Sequence, residues 1–190
     1  MESIGEAKAR LRRHYLEIRK QLTDPQRQLY SQRIRDHLTM WEIYERSQTI
    51  HCFLTIDKNG EVETAPLLHR MIRDGKRVVV PRTLRGQTEL EHLLYEGDKQ
   101  LKISRLGIPE PETGELVPVD ELDLVLVPML AGDRQKNRLG YGQGYYDRFL
   151  AGSPAIKAGL LFEMCLSPDP LPVNSHDVPL DYLITEQGIY

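Results

Sequence analysis

The chain has 190 residues, 40% of them hydrophobic and 28% charged, with a formal net charge of −3. That length and balance suit a single globular domain, taken as residues 1–190, with enough apolar side chains to bury a core. A mildly acidic chain is a poor general binder of nucleic acid, so an anionic ligand has to be held by local positive groups.

Leu11, Tyr15, Ile18 and Leu22 fall at spacings of four, three and four, which predicts an amphipathic helix across Ile4 to Leu22. The charged start MESIGEAKARLRRHYLEIRK lacks the apolar stretch of a secretory signal. No run of about 18 apolar residues offers a membrane span. A cytoplasmic protein with no membrane partner is expected, and a monomer. Thr23, Pro25 and Gln26 then form a restart signal for a second helix running to about Met40, with Thr23 as cap and Gln26 completing a capping box.

QTIHCFLT and KRVVVP are short apolar, β-branched runs, and between them Thr64-Ala65-Pro66 opens a helix that stops near Gly75. LDLVLVPML and IKAGLLF carry the same buried-strand signature further on, while EHLLYE and DYLIT read as shorter strands. Strands alternating with helices predict an α/β layered fold, a mostly parallel sheet flanked by helices, a Rossmann-like design that sugar-phosphate isomerase and CoA-transferase-like folds share. Such sheets bind ligands beyond the carboxyl ends of their strands. Cys52 and Cys165 lie far apart in apolar contexts and are expected as buried thiols. His14, His37, His69 and His92 stand in polar or amphipathic stretches with no partner spacing, so surface or rim positions are expected.

Between two of the strands lies NRLGYGQGYYDRFL, Asn137 to Leu150, with glycines at 140, 142 and 144. It matches neither a Walker A loop nor a dinucleotide fingerprint. One reading is a bulged turn between strand and helix. The other is a phosphate cradle, in which Gly144 opens a helix whose free N–H groups face an anion and Arg138 and Lys136 add charge. Lys8, Arg12 and Arg19 fall within about 40° of one another on the first helix at 100° per residue, as a solvated rim or as a basic strip for a ligand. Glu61 is a loop carboxylate ahead of the Thr64 cap. Asp147 is an early-helix acid and Asp177 a turn residue beside Pro179.

The glycine stretch resembles the signature of the 5-formyltetrahydrofolate cyclo-ligases, also called 5,10-methenyltetrahydrofolate synthetases. KARLRRHYLEIRKQL, FLTIDKNGEVET, VVVPRT, LGIPEP, DLVLVPMLAGDRQKNRLGYGQGYYDRFL and PVNSHDVPLDYLIT follow in the family's order. The resemblance implies that 5-formyltetrahydrofolate is closed to 5,10-methenyltetrahydrofolate with ATP and Mg²⁺, through phosphorylation of the formyl oxygen, and that ADP and phosphate are released. It implies ATP contacts from Lys8, Arg12 and the loop residues Arg138, Leu139, Gly140, Tyr141, Gly142, Gln143, Gly144, Tyr145 and Tyr146. It further implies folate contacts from Leu54, Glu61 and Tyr146, catalytic roles for Arg138 and Tyr146, and Mg²⁺ on Asp147 and Asp177. Gln143 stands where relatives carry glycine or lysine, so it offers phosphate a backbone N–H in place of a charge. Of the two tyrosines, one is expected to wall the pterin and one to pack in the core. The competing readings are a sugar-phosphate isomerase or CoA-transferase-like enzyme, which would use a carboxylate without nucleotide, and a non-catalytic nucleotide or folate sensor.

Overall fold

A computed structural model describes residues 2–84, 86–104 and 108–190. Leu106 and Gly107, which begin the LGIPEP block, lie outside the described residues. The chain opens with α1 (Ile4–Arg19) and α2 (Asp24–Thr39), then α3 (Glu42–Arg46), β1 (Thr49–Cys52), α4 (Ala65–Arg73), β2 (Arg77–Thr83) and β3 (Leu90–Leu94). A short hairpin follows, β4 (Leu101–Ile103) with β5 (Pro109–Pro111), and then β6 (Leu124–Pro128), β7 (Ala131–Asp133) and β8 (Arg138–Leu139). The chain continues through α5 (Tyr145–Ala151), β9 (Ile156–Leu160), β10 (Leu166–Ser167), β11 (Tyr182–Thr185) and β12 (Gly188–Ile189).

Local signals set the helix starts. Ser3 and Glu6 form a capping box on α1, and Thr23 and Gln26 form the expected one on α2. Each box satisfies backbone donors that the first helical turn leaves open. Thr64 stands at the start of α4 as expected, yet its side chain does not cap that helix. Its Oγ1 instead accepts from the Thr55 N–H at 3.1 Å and pairs with the Thr55 hydroxyl, pinning the loop that follows β1. The first helix ends at Arg19, three residues before the apolar period runs out, and Leu22 packs onto the core from the turn beyond it.

The main sheet has seven strands in the order β12-β11-β9-β6-β1-β2-β3. It is parallel from β11 to β2 and antiparallel at both edges. Alternation along the strands sends Val78, Val80, Leu124 and Leu126 to a core with Ile34, Leu38, Leu67 and Met71 of α2 and α4. Val79, Val125 and Val127 face the opposite core, with Tyr15 of α1 and Phe149 and Leu150 of α5. Both faces are covered, which explains why β6 is apolar throughout and why every residue of β1 is buried. Each fully buried Val or Leu there contributes about 1.5–3 kcal/mol. Both cysteines are free and buried, as expected.

The glycine stretch does not follow a strand of the main sheet directly. After β6 the chain turns through β7 and β8, which join β10 in a separate three-stranded sheet, and the loop leaves β8. Asp133 fixes this detour. Its buried carboxylate accepts from the N–H groups of Gln135, Asn137 and Leu171 and from Asn137 Nδ2, at 2.8–2.9 Å. Lys136, expected to lend charge to the loop, has a left-handed φ of 66° in the tight turn and sets its ammonium 5.2 Å from the Tyr182 ring, so it serves the scaffold.

Candidate active site

The glycines answer to two different demands. Gly142 and Gly144 adopt φ of 96° and 70°, the left-handed region that side chains other than glycine's enter at a cost. Gly140 is favoured by proximity, because a Cβ there would lie 2.7 Å from Nη1 of Arg138, whose guanidinium is held by Asp147. A Cβ on Gly142 would meet the Arg12 guanidinium at 3.0 Å, and one on Gly144 would meet Arg148 Nη1 at 2.9 Å. Three arginines therefore pack directly on the loop. Gly144 caps α5, as expected, and Arg148 donates back to Gln143 O and to Thr88 O of the β2–β3 connection.

The α1 cations reach the same place from the other side. Lys8, only 6% exposed, forms an ion pair with Asp177. Arg12 Nε donates to Gly140 O at 2.9 Å. Arg138 Nη2 pairs with Asp147 at 2.8 Å, and the Arg138 side chain is nearly inaccessible. All of these groups, with His176, line one cavity of about 180 Å³. Burial would raise the Asp177 carboxyl, but the Lys8 ammonium and the Asn174 N–H outweigh it and hold the group below the ordinary aspartate range. The basic strip of α1 is thus a wall of a site, with the exception of Arg19, which turns elsewhere.

A second cavity of about 510 Å³ also borders the loop. Its walls include Phe53, Leu54 and Ile56 after β1, Thr83 and Leu90 around the β2–β3 connection, Ile108 to Glu110, and Tyr141, Tyr145 and Tyr146. Its size and apolar lining suit a drug-sized ring system with a few polar anchors. Arg138, Gly140, Gly142, Gly144 and Asp147 line both cavities, so the loop is the partition between them. Glu61, 4% exposed, lies in the wall of the large one. Burial pushes its carboxyl up, against the opposing effect of hydrogen bonds from the Tyr141 hydroxyl and the Ile56 N–H. The expected site residues Lys8, Arg12, Leu54, Glu61, Arg138, Leu139, Gly140, Tyr141, Gly142, Gln143, Gly144, Tyr145, Tyr146, Asp147 and Asp177 all line one cavity or both.

Both tyrosines face the large cavity, so neither is a plain core residue. Tyr145 sends its hydroxyl toward Gln87 O at 3.4 Å. Tyr146 carries the Arg138 guanidinium 5.8 Å above its ring and directs its hydroxyl into the protein, where it has no hydrogen-bond partner among the described residues. Burial raises the Tyr146 phenol well above its ordinary value. Beneath it lies a cluster that the sequence did not announce. His51 of β1, His92 of β3 and Phe149 of α5 stack with ring centroids 4.2–5.2 Å apart. His92, expected at the surface, is buried because the edge strand β3 turns this residue onto α5. Burial holds His51 well below the usual histidine range and pushes His92 down to about 4, so both imidazoles are neutral near pH 7.

A histidine whose folded pKa is depressed contributes stability that is complete above its unfolded value near 6.5 and is lost as pH falls toward the folded value. Melting temperature is therefore expected to fall between pH 6.5 and 4, with one such group supplying at most about 1.4 kcal/mol per pH unit. His92→Phe should flatten that slope in thermal melts across this window. An unchanged slope would assign the acid lability to other groups.

Known proteins resemble this chain in sequence and in fold. The sequence profile of the 5-formyltetrahydrofolate cyclo-ligase family matches residues 4–186. The 5-formyltetrahydrofolate cyclo-ligase of Escherichia coli K12 is 31% identical over 179 residues, covering 90% of this chain and 96% of the relative. That of Haemophilus influenzae is 32% identical over 177 residues, covering 90% and 92%. The solved structure of Aquifex aeolicus 5,10-methenyltetrahydrofolate synthetase superposes with a TM-score of 0.85 at 28% identity, covering 96% of this chain and 91% of that one. The fold is the α/β fold of that structure. The chain belongs to the 5-formyltetrahydrofolate cyclo-ligase family. No helix among the described residues is long and apolar enough to cross a membrane.

Proposed function

We propose that the chain, acting as one domain, converts 5-formyltetrahydrofolate to 5,10-methenyltetrahydrofolate at the expense of ATP, with the folate in the large cavity and the nucleotide phosphates in the small one. The observation that carries this reading is the glycine loop standing as a partition between the two cavities, with Arg138 in the lining of both. Two reacting groups brought to opposite sides of such a partition meet at its edge, and positioning of that kind supplies much of the catalysis in phosphoryl transfer.

A formyl amide is a poor electrophile until its oxygen becomes a good leaving group. The formyl oxygen attacks the γ-phosphorus and ADP departs. N10 then adds to the activated carbon and loses its proton, and the phosphate leaves with the former formyl oxygen, closing the ring. No nucleophilic side chain is needed. Arg138 is the cation that lines both cavities and neutralises charge on the transferred group. Tyr146 holds Arg138 through its ring and walls the pterin, and its raised, buried phenol keeps its proton throughout. Glu61 accepts from pterin nitrogens beside Leu54. The amides of Gly142, Gln143 and Gly144 donate no hydrogen bond within the described residues and are available to phosphate oxygens.

The donor set also suits Mg²⁺, which prefers one or two carboxylates together with substrate phosphates. Lys8–Asp177 and Arg138–Asp147 are two cation–carboxylate pairs in one small cavity. Each offers its cation to phosphate and its carboxylate to the metal, so Mg-ATP can separate both pairs and still give each of these four side chains a partner. Among the described residues no group of three or more metal-ligating side chains forms by itself, which agrees with a metal that arrives with the nucleotide. Bound there, Mg²⁺ would screen the phosphate charge.

The test is the appearance of methenyl-folate absorbance when protein, Mg-ATP and 5-formyltetrahydrofolate are mixed, and its loss when any one is left out. ATP binding without turnover would return the sensor reading. Arg12→Ala should raise KM for ATP about 10- to 150-fold, the equivalent of one charge-assisted hydrogen bond of about 1.5–3 kcal/mol, while KM for the folate moves little. Equal weakening of both substrates would remove Arg12 from the phosphate site.

A further inference from the structure

Arg19 belongs to the α1 basic strip but lines neither of the two ligand cavities. It is 4% exposed, and its Nη1 donates to the Tyr141 hydroxyl at 3.0 Å and to Asn59 O at 3.2 Å, while Nη2 donates to Met129 O at the end of β6. With the hydroxyl oxygen accepting from Arg19, the Tyr141 proton is directed to Glu61 Oε1, and the other carboxylate oxygen accepts from the Ile56 N–H at 2.7 Å. Tyr141 is the residue between Gly140 and Gly142, the two glycines on which Arg12 rests at the small cavity. A continuous set of contacts therefore runs from a carboxylate in the wall of the large cavity, through one phenol, to the backbone that faces the small one.

We propose that Tyr141, aligned by Arg19, is a positioning residue that couples the two cavities, so that occupation of the large cavity at Glu61 tightens binding in the small one, and the reverse. The inference rests on the assignment of folate and nucleotide to these cavities. A loop with three glycines in five residues loses much conformational freedom when it is ordered. Tyr141 is the side chain that ties its middle to the rest of the protein. A carboxylate offers about four acceptor sites, of which Glu61 uses two here, so a ligand donor can join Tyr141 on Glu61 without expelling it. A ligand packed against the Tyr141 ring and Glu61 holds the loop in place, and the second ligand then meets a loop already ordered. The coupling is reciprocal by linkage.

The experiment is calorimetry with Mg-ADP and 5-formyltetrahydrofolate, a pair that cannot react together and in which no γ-phosphate touches the formyl group. In the unmodified protein, saturating folate should lower the Kd of Mg-ADP by a factor on the order of 5 to 150, and Mg-ADP should lower the Kd of the folate by the same factor. Tyr141→Phe keeps the ring and deletes the hydroxyl, and should bring that factor to about 1. Arg19→Lys keeps the charge but loses the planar fork, and should give an intermediate factor. Thermal melts verify that each variant is folded, and the lysine variant stands in should the phenylalanine variant fail to fold. Coupling that survives undiminished in the folded variants overturns the inference, as does independent binding in the unmodified protein. If neither ligand binds the unmodified protein, the cavity assignment fails and takes this inference with it. If both bind, and independently, only the coupling fails.

Discussion

Gly144→Val is expected to abolish ATP-dependent methenyl-folate formation, by at least about 100-fold in kcat/KM, or about 2.7 kcal/mol of transition-state stabilisation, in a protein that remains folded. Gly144 has a φ of 70°, which a β-branched residue tolerates poorly, and strain of that kind costs about 1–3 kcal/mol. The clash at 2.9 Å is with Arg148 Nη1, the far end of a flexible side chain that can swing aside, so the fold is not forced apart. What cannot be recovered is the loop itself. Gly144 borders both cavities, and its isopropyl replacement either projects into the small one or drags the loop out of register. The measurement is turnover by methenyl-folate absorbance beside a thermal melt and a folate titration. Normal turnover would remove the phosphate role of the loop. A large fall in melting temperature with loss of folate binding would make the glycines structural only.

Asp147→Asn separates the metal from the loop. The substitution keeps an acceptor for Arg138 Nη2 but removes the charge that balances a nearly inaccessible guanidinium. Because the carboxylate is about one-fifth exposed, solvent screens part of that loss, and a stability cost of about 1–2 kcal/mol is expected. The larger effect is on magnesium. Its half-saturating concentration should rise about tenfold or more, whereas binding of ADP without metal should change little. Turnover measured against Mg²⁺ concentration checks this. A lower melting temperature with an unchanged Mg²⁺ profile would leave Asp147 as the partner of Arg138 and nothing else.

Much of the frame was legible because it is written locally or in runs. The Thr23–Gln26 capping box needs four consecutive residues, and β6 announces itself by unbroken apolar character, the mark of a strand buried on both faces, while β1, β2 and β9 show through the shorter apolar runs in or just after them. The strands β7, β8, β10 and β12 are two or three residues long, too short for any period to show, so the detour that carries the glycine loop went unread. Lys8, Arg12 and Arg19 share a helix face, and that much follows from 3.6 residues per turn. Their division of labour does not, since it is set by partners 169, 128 and 122 positions away. His92 and Lys136 were misjudged for the same reason. Neighbours in sequence do not reveal that His92 meets Phe149 across the sheet or that Lys136 finds the Tyr182 ring. Asp133 carried a weak signal, an acid two and four residues ahead of a glutamine and an asparagine, which marks a side chain able to fold a turn over itself.

These long separations have a consequence for how the protein acquires activity during synthesis. α1 leaves the ribosome ahead of β6 and α5, on which its apolar stripe packs, and Lys8 meets Asp177 only after a further 169 residues have been added. A helix emerging this early waits with its apolar stripe uncovered, and topologies dominated by distant contacts fold slowly. The charged residues of α1 then have two occupations in sequence. They keep the waiting segment in water while the sheet is assembled, and they become the wall of the small cavity once the chain closes over them.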